Sequence, residues 1–218
     1  MNSRGFNTRD SGPLFRGLAR PDFSVTLPRM ISALKAPGFQ ARALPLSVAA
    51  WHGMIRDGLA PKRAELIRGV IIEKMSKSIL HSRISDFLAE LFKDALRATH
   101  WVRMEAPLTF ADSEPEPDVS VVAGHREDFK KHPTAAALVI EVSVSTLADD
   151  REMAGIYAEA GIAEYWIVNL PDRCLEVHRQ PGREGYAEVT CYGIGQSVPC
   201  AALPVTVEVG ALFAGLDG

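Results

Sequence analysis

Asp118 closes the turn "EPEPD" and leads directly into "VSVV", and Glu141 stands inside "ALVIEVS", an otherwise apolar run. Strand side chains alternate, so Glu141 shares a face with Ala137, Val139 and Ser143. An ionised carboxylate there is costly unless it is paired, hydrogen-bonded or bound to a cation. Two carboxylates on adjacent strands can hold Mg2+, which keeps several waters and accepts substrate phosphate oxygens. Such an ion polarises a phosphodiester and lowers the pKa of an attacking water. The competing reading is structural: Glu141 pairs with an Arg or Lys, and Asp118 caps a turn. The spacing of two acids alone does not decide between these.

The elements around the acids are legible. "LSVAAWHGMI" predicts a short helix with Ser47 as its N-cap. "AELIRGVIIEKM" predicts a hairpin, with Arg68-Gly69 as its tight turn. Ile84, Phe87, Leu88, Leu91, Phe92, Ala95 and Leu96 recur at helical spacing, and Ser76 or Ser78 is placed to cap that helix. From Trp101 the pattern becomes strand-like: "WVRMEAPLTF", "VSVV", then a charged loop or short helix at "HREDFKKHP". "ALVIEVS" is apolar on both faces, so it predicts a central strand covered on both sides. A helix over 147–160 follows, with Met153, Ile156, Tyr157 and Ala160 as its apolar stripe and Asp149 with Glu152 as a capping pair. "EYWIVNL" is a strand, "CLEVHRQ" and "YAEVTCY" form a hairpin across "PGREG", and "LPVTVEVGALF" ends the order with a strand and a short helix. The fold class is α/β in a mixed α+β arrangement.

The 218 residues are 47% apolar and 23% charged, an ordinary globular composition with no run long enough to span a membrane. Cys174, Cys191 and Cys200 are an odd set without a C-x-x-C pair, and they read as free thiols in a reducing cytoplasm. Residues 1–43 hold seven Lys/Arg against two Asp, whereas the remainder holds seventeen against twenty-five acids. The basic segment is irregular. It reads as a disordered tail, as a basic arm on phosphates, or as an over-long start with Met30 or a later residue first. Residues 44–218 form the organised domain. The acidity of that body argues against strong nonspecific duplex binding.

The series "AELIRGVIIEKM", a helix led by His81, "PEPDVSVV", "ALVIEVSVSTLADD" and "YAEAGIAEYWIVNL" resembles the Uma-type restriction endonuclease family of the PD-(D/E)XK nuclease superfamily, over about residues 45–214. The resemblance implies a restriction endonuclease-like core, a mixed central sheet flanked by helices. It also implies a metal-dependent endodeoxyribonuclease activity, with Mg2+ or Mn2+ as cofactor and DNA as partner. By position, Pro117 and Asp118 match the "PD" and Glu141 the second acid. Glu65 matches a glutamate before the first turn, and His81 a histidine at the start of the long helix. By superfamily analogy the backbone carbonyl of Val142 is a further metal ligand. Glu65 also reads as a strand-surface charge, and His81 as a helix-start core residue.

One departure stands out. Ser143 occupies the superfamily's lysine position. On the following helix, where the Uma-type pattern "D-x-x-x-K-x-x-x-Y" places its lysine, Asp149 and Tyr157 match but Met153 stands between them. A methionine cannot donate to a scissile phosphate or offset developing charge. Lys130 and Lys131 are the lysines that could reach in from the charged loop, and Arg151 faces another side of the helix. The expectation is therefore a Mg2+-dependent DNA phosphodiesterase with impaired turnover. Its rival is an inactive nuclease-fold module that binds nucleic acid or protein. A weaker third reading is a hydrolase of another phosphate ester. A homodimer is the natural arrangement for an enzyme that cuts two strands.

Overall fold

The structure, a computed structural model, describes residues 37–40 and 42–215. The expectations for residues 1–36 lie outside them. The chain divides into a unit ending at Leu44 and a unit beginning at Pro45. In the first, Pro37–Gln40 forms a helical turn, and Arg42 Nε donates to the Gly38 carbonyl at 2.9 Å.

The second unit opens with helix α1 (Val48–Arg56), capped by Ser47, whose hydroxyl accepts from the Ala50 amide at 3.2 Å. Its Trp51 packs with Ala64 and Leu66 of the following hairpin. That hairpin, β1 (Ala64–Ile67) and β2 (Val70–Glu73), turns at Arg68 and Gly69, both at positive φ (48° and 74°), as a two-residue hairpin loop demands. A Cβ at Gly69 would meet Pro45 and the Leu46 amide, so glycine is needed there for space as well as for φ.

The long helix α2 (Ile79–Leu96) is capped by Ser78, which accepts from the His81 amide at 3.1 Å. Of its predicted apolar positions, Ile84, Leu88, Phe92 and Leu96 are buried, while Phe87 is exposed.

Six strands form the central sheet in the order β3-β4-β5-β6-β7-β8: β3 (His100–Met104), β4 (Val119–Ala123), β5 (Leu138–Ser143), β6 (Glu164–Asn169), β7 (Cys174–Gly182) and β8 (Gly185–Gly193). All neighbours are antiparallel except β5 and β6, which are parallel and joined through helix α3 (Leu147–Glu159), as a parallel pair requires. β5 is central, and its alternation splits the core. Leu138, Ile140 and Val142 face α2, together with the closing β9 (Ser197–Pro199), β10 (Thr206–Glu208) and α4 (Val209–Leu212). Val139 faces α3 with Tyr157, Tyr165 and Ile167. The sheet is mixed and flanked by helices. Among the described residues no helix is long and apolar enough to cross a membrane.

Three local expectations are corrected. Cys174 and Cys191 are disulfide-bonded across the β7–β8 hairpin, and only Cys200 is a free, buried thiol. The antiparallel register sets Cys191 opposite Glu176, so Cys174 reaches it on the diagonal; the spacing in sequence gave no sign of that. Asp149 and Glu152 do not cap α3. Thr146 occupies the N-cap without a side-chain cap, and its hydroxyl instead donates to Asp150 Oδ2 at 2.8 Å. Beyond Met104 the segment through Phe110 leaves the strand, and Glu114 returns as an isolated bridge to Leu66.

Candidate active site

Where β4 and β5 part, their two acids take over the work of the ladder. The register pairs Val119 with Ile140, so Asp118 falls opposite Glu141 and Pro117 opposite Val142. Pro117 has no N–H to give. The side chains respond by bonding each other's backbone. The Asp118 amide donates to Glu141 Oε2 at 3.0 Å, and the Val142 amide donates to Asp118 Oδ2 at 2.7 Å. Each carboxylate is thus anchored on the backbone of the other's strand. A residue's N–H and C=O point to the same side of a strand, so the Val142 carbonyl also faces this gap.

The other sequence-flagged residues gather at the same place. His81, in the first turn of α2, sets Nε2 2.8 Å from Asp118 Oδ2. Glu65 of β1 accepts from the Glu116 amide at 3.0 Å. Tyr157 of α3 donates to Glu141 Oε1 at 2.9 Å. Glu65, His81, Asp118, Glu141 and Val142 all line a single cleft of ≈ 400 Å³, and Met153 lines it from the α3 side. Lys130 and Lys131 are exposed on the loop after β4 and do not line the cleft. Arg151 turns away, donating to both oxygens of Glu176 at 3.0 and 2.6 Å.

Sequence reasoning missed Lys77, in the loop between β2 and α2. Its ammonium donates to Asp118 Oδ1 at 2.6 Å and lies 3.0 Å from Glu105 Oε1. No apolar periodicity marks this loop, and the only clue was its place just before the capping Ser78.

The two central acids are driven in opposite directions. Burial would raise the Asp118 carboxyl, but the His81 contact and the Lys77 charge outweigh it and hold it below the ordinary aspartate range. Glu141 is pushed well above the ordinary glutamate range by burial, then by the charges of Asp118 and Asp150, against only the Asp118 amide bond. Glu65 is also raised, because burial outweighs the Glu116 amide and Lys74. Lys77 sits above the usual lysine range: burial works against its charge, but Asp118 and Glu105 more than compensate.

The donor set fits a hard divalent ion. It offers two oxygen-bearing side chains and a strand carbonyl directed at one gap, and among the described residues no ion pair reaches Glu141. Among the described residues no group of three or more His, Cys, Asp or Glu is placed to hold a metal ion. Mg2+ is ordinarily held by only one or two carboxylates and completes its shell with water and phosphate.

A family profile described as "Uma2: Putative restriction endonuclease" matches residues 58–211, most of the chain. The chain belongs to this family. Among solved structures it is similar to a chain described as a putative nuclease belonging to DUF820 from Anabaena variabilis ATCC 29413. The two share 18% sequence identity with a TM-score of 0.66, over 78% of this chain and 98% of that one. At that identity the likeness establishes the restriction endonuclease-like fold alone. No curated protein matches.

Proposed function

We propose that this Uma2-family protein hydrolyses DNA phosphodiester bonds with the help of Mg2+ or Mn2+. The observation that carries the proposal is the reciprocal bonding of Asp118 and Glu141 where β4 and β5 part. It anchors each carboxylate on the other's strand and, among the described residues, leaves Glu141 without a cation of its own. Asp118, Glu141 and the Val142 carbonyl would hold the ion. When bound, it supplies Lewis-acid stabilisation of charge on the phosphoryl oxygens.

The chain's own residues do the rest. Tyr157 and the Asp118 amide fix the Glu141 carboxylate from two directions, so its orientation is set before any ligand arrives. His81 holds Asp118 from the helix side. Glu65, anchored on the Glu116 amide, faces the same cleft and extends its acidic wall. DNA is the proposed partner, approached by one phosphate at a time because the acidic cleft repels the rest of the backbone. A homodimer would present one such cleft to each strand.

The rival reading, a nuclease fold that binds without turnover, rests on Met153 lining the cleft where the family pattern has lysine. One assay separates the two. Wild type, Asp118→Asn and Glu141→Gln are incubated with duplex DNA in Mg2+ and in Mn2+. Cutting by wild type alone supports the nuclease. Equal residual cutting by all three is contamination and sinks it.

A further inference from the structure

The charge that Met153 cannot supply has another source within reach. We propose that Lys77 is the phosphate-contacting cation of this site, entering from the wall opposite α3; this rests on the nuclease reading above. The cations around the cleft are otherwise engaged or remote. Arg151 is turned onto Glu176. Lys74 donates to the Glu116 carboxylate at 2.8 Å and to its backbone carbonyl at 3.2 Å. Lys77 alone among these three contacts one of the two central acids, at 2.6 Å.

The loop that carries Lys77 is held at both ends. Arg63 donates to the Met75 carbonyl and the Ser76 hydroxyl, both at 3.0 Å. Ser78, the next residue, is fixed as the cap of α2. The ammonium therefore does not wander as a surface lysine does, yet its side chain keeps 22% exposure at the cleft wall. That leaves it room to meet a ligand.

Without a ligand, Lys77 neutralises Asp118. Once another cation balances that carboxylate, the ammonium, still anchored on Glu105 Oε1 at 3.0 Å, can turn from Asp118 and donate to a non-bridging oxygen of the scissile phosphate. A charge-assisted bond of that kind strengthens as negative charge builds in the transition state. The step it assists is hydrolysis. A water oxygen bonds to phosphorus, the bridging P–O bond breaks, and the water's proton ends on the released alkoxide. Lys77 forms no covalent bond and loses no proton. The positive group has in effect moved from the α3 wall to the β2–α2 loop, so the sequence reads as lysine-less although the cleft is not.

The test uses the full chain as wild type, Lys77→Met, Lys77→Gln, Met153→Lys and the double variant Lys77→Met/Met153→Lys. Lys77→Gln keeps a hydrogen bond to Asp118 without charge, so it serves if Lys77→Met fails to fold. Single-turnover cleavage in Mn2+ is one readout. The other is affinity for a short, hydrolysis-resistant phosphorothioate duplex in Ca2+, which needs no turnover. Lys77→Met and Lys77→Gln are expected to cleave about 10²–10³-fold more slowly and to bind the duplex several-fold more weakly. Met153→Lys added to Lys77→Met is expected to recover much of both losses. Wild-type cleavage by Lys77→Met beside a dead Asp118→Asn would overturn the role of Lys77 and leave the nuclease standing. If no variant cleaves, the nuclease reading fails, and the duplex arm judges Lys77 alone: unchanged affinity overturns the phosphate contact, and a several-fold loss sustains it.

Discussion

Glu141 on β5 and the pair Glu164 and Glu176 on β6 and β7 are glutamates in apolar strands of one sheet, and they are satisfied differently. Glu164 receives Arg179 on Oε1 at 2.8 and 2.7 Å, and the Cys200 thiol and Ala201 amide on Oε2 at 2.9 and 2.8 Å. Glu176 receives the two Arg151 bonds and the Asn169 side-chain amide at 2.7 Å. Burial would raise Glu176, but those partners hold it below the ordinary range. Glu141 receives only an amide and a phenol, and among the described residues no ion pair reaches it. The charges of Asp118, Asp150 and Glu65 push it up, after burial. A buried glutamate matched by arginine is a structural device. Glu141, half-buried and facing other acids, is the glutamate we propose as a cation ligand.

The comparison breaks most visibly in activity. Asp118→Asn or Glu141→Gln is expected to remove at least about 10³-fold of Mn2+-dependent cleavage, since each takes away a group acting in the reacting centre. Glu176→Gln should cut DNA at close to the wild-type rate below its melting temperature. Cleavage rates of the three variants, measured side by side, check this.

Stability should separate Glu141 from the arginine-paired glutamates in the reverse sense. Glu164→Gln strands Arg179 beside a buried amide, and breaking a buried pair in this way costs about 3–5 kcal/mol. A chain this long would then melt lower by roughly 2–4 °C for each kcal/mol. Thermal denaturation with and without metal would read it. A loss equal to that of a surface substitution would show the ion pair to be idle.

How much of this could be read from the chain depends on which residues are asked. The central strand was legible because "ALVIEVS" is apolar on both faces, and Asp118 and Glu141 were legible because a carboxylate there demands a partner. The same rule, however, flags Glu164 in "AEYWIVNL" and Glu176 in "CLEVHRQ" equally well. Only the pairing in space, with Arg179 and Arg151 from other elements, separates them from Glu141. Lys77 was illegible for a related reason: its loop has no periodicity, and its contact with Asp118 spans 41 residues of sequence. The Cys174–Cys191 bond was hidden because hairpin register, not spacing, brings the two sulfurs together.

Titration gives a smaller and signed effect. Glu141 has a raised folded pKa, so its favourable contribution is present below its ordinary value of 4.5 and is lost as pH rises through the folded value. In metal-free protein at neutral pH, Glu141→Gln should therefore melt higher than wild type. The gain should vanish at acid pH. Asp118 runs the other way. Its depressed pKa means that its contribution is present above its ordinary value of 3.8 and is lost as pH falls through the lower folded value. Asp118→Asn should thus destabilise at neutral pH and converge with wild type in strong acid. Melting curves across pH for the two variants would expose a wrong sign in either.

The central claim is that Asp118 and Glu141 form a divalent-cation site and the arginine-paired glutamates do not. Calorimetric titration of Mn2+ into wild type, Glu141→Gln and Glu176→Gln tests it most directly. The account predicts binding to wild type and Glu176→Gln with closely similar affinity, and its loss in Glu141→Gln. Equal Mn2+ affinity in all three proteins would contradict it.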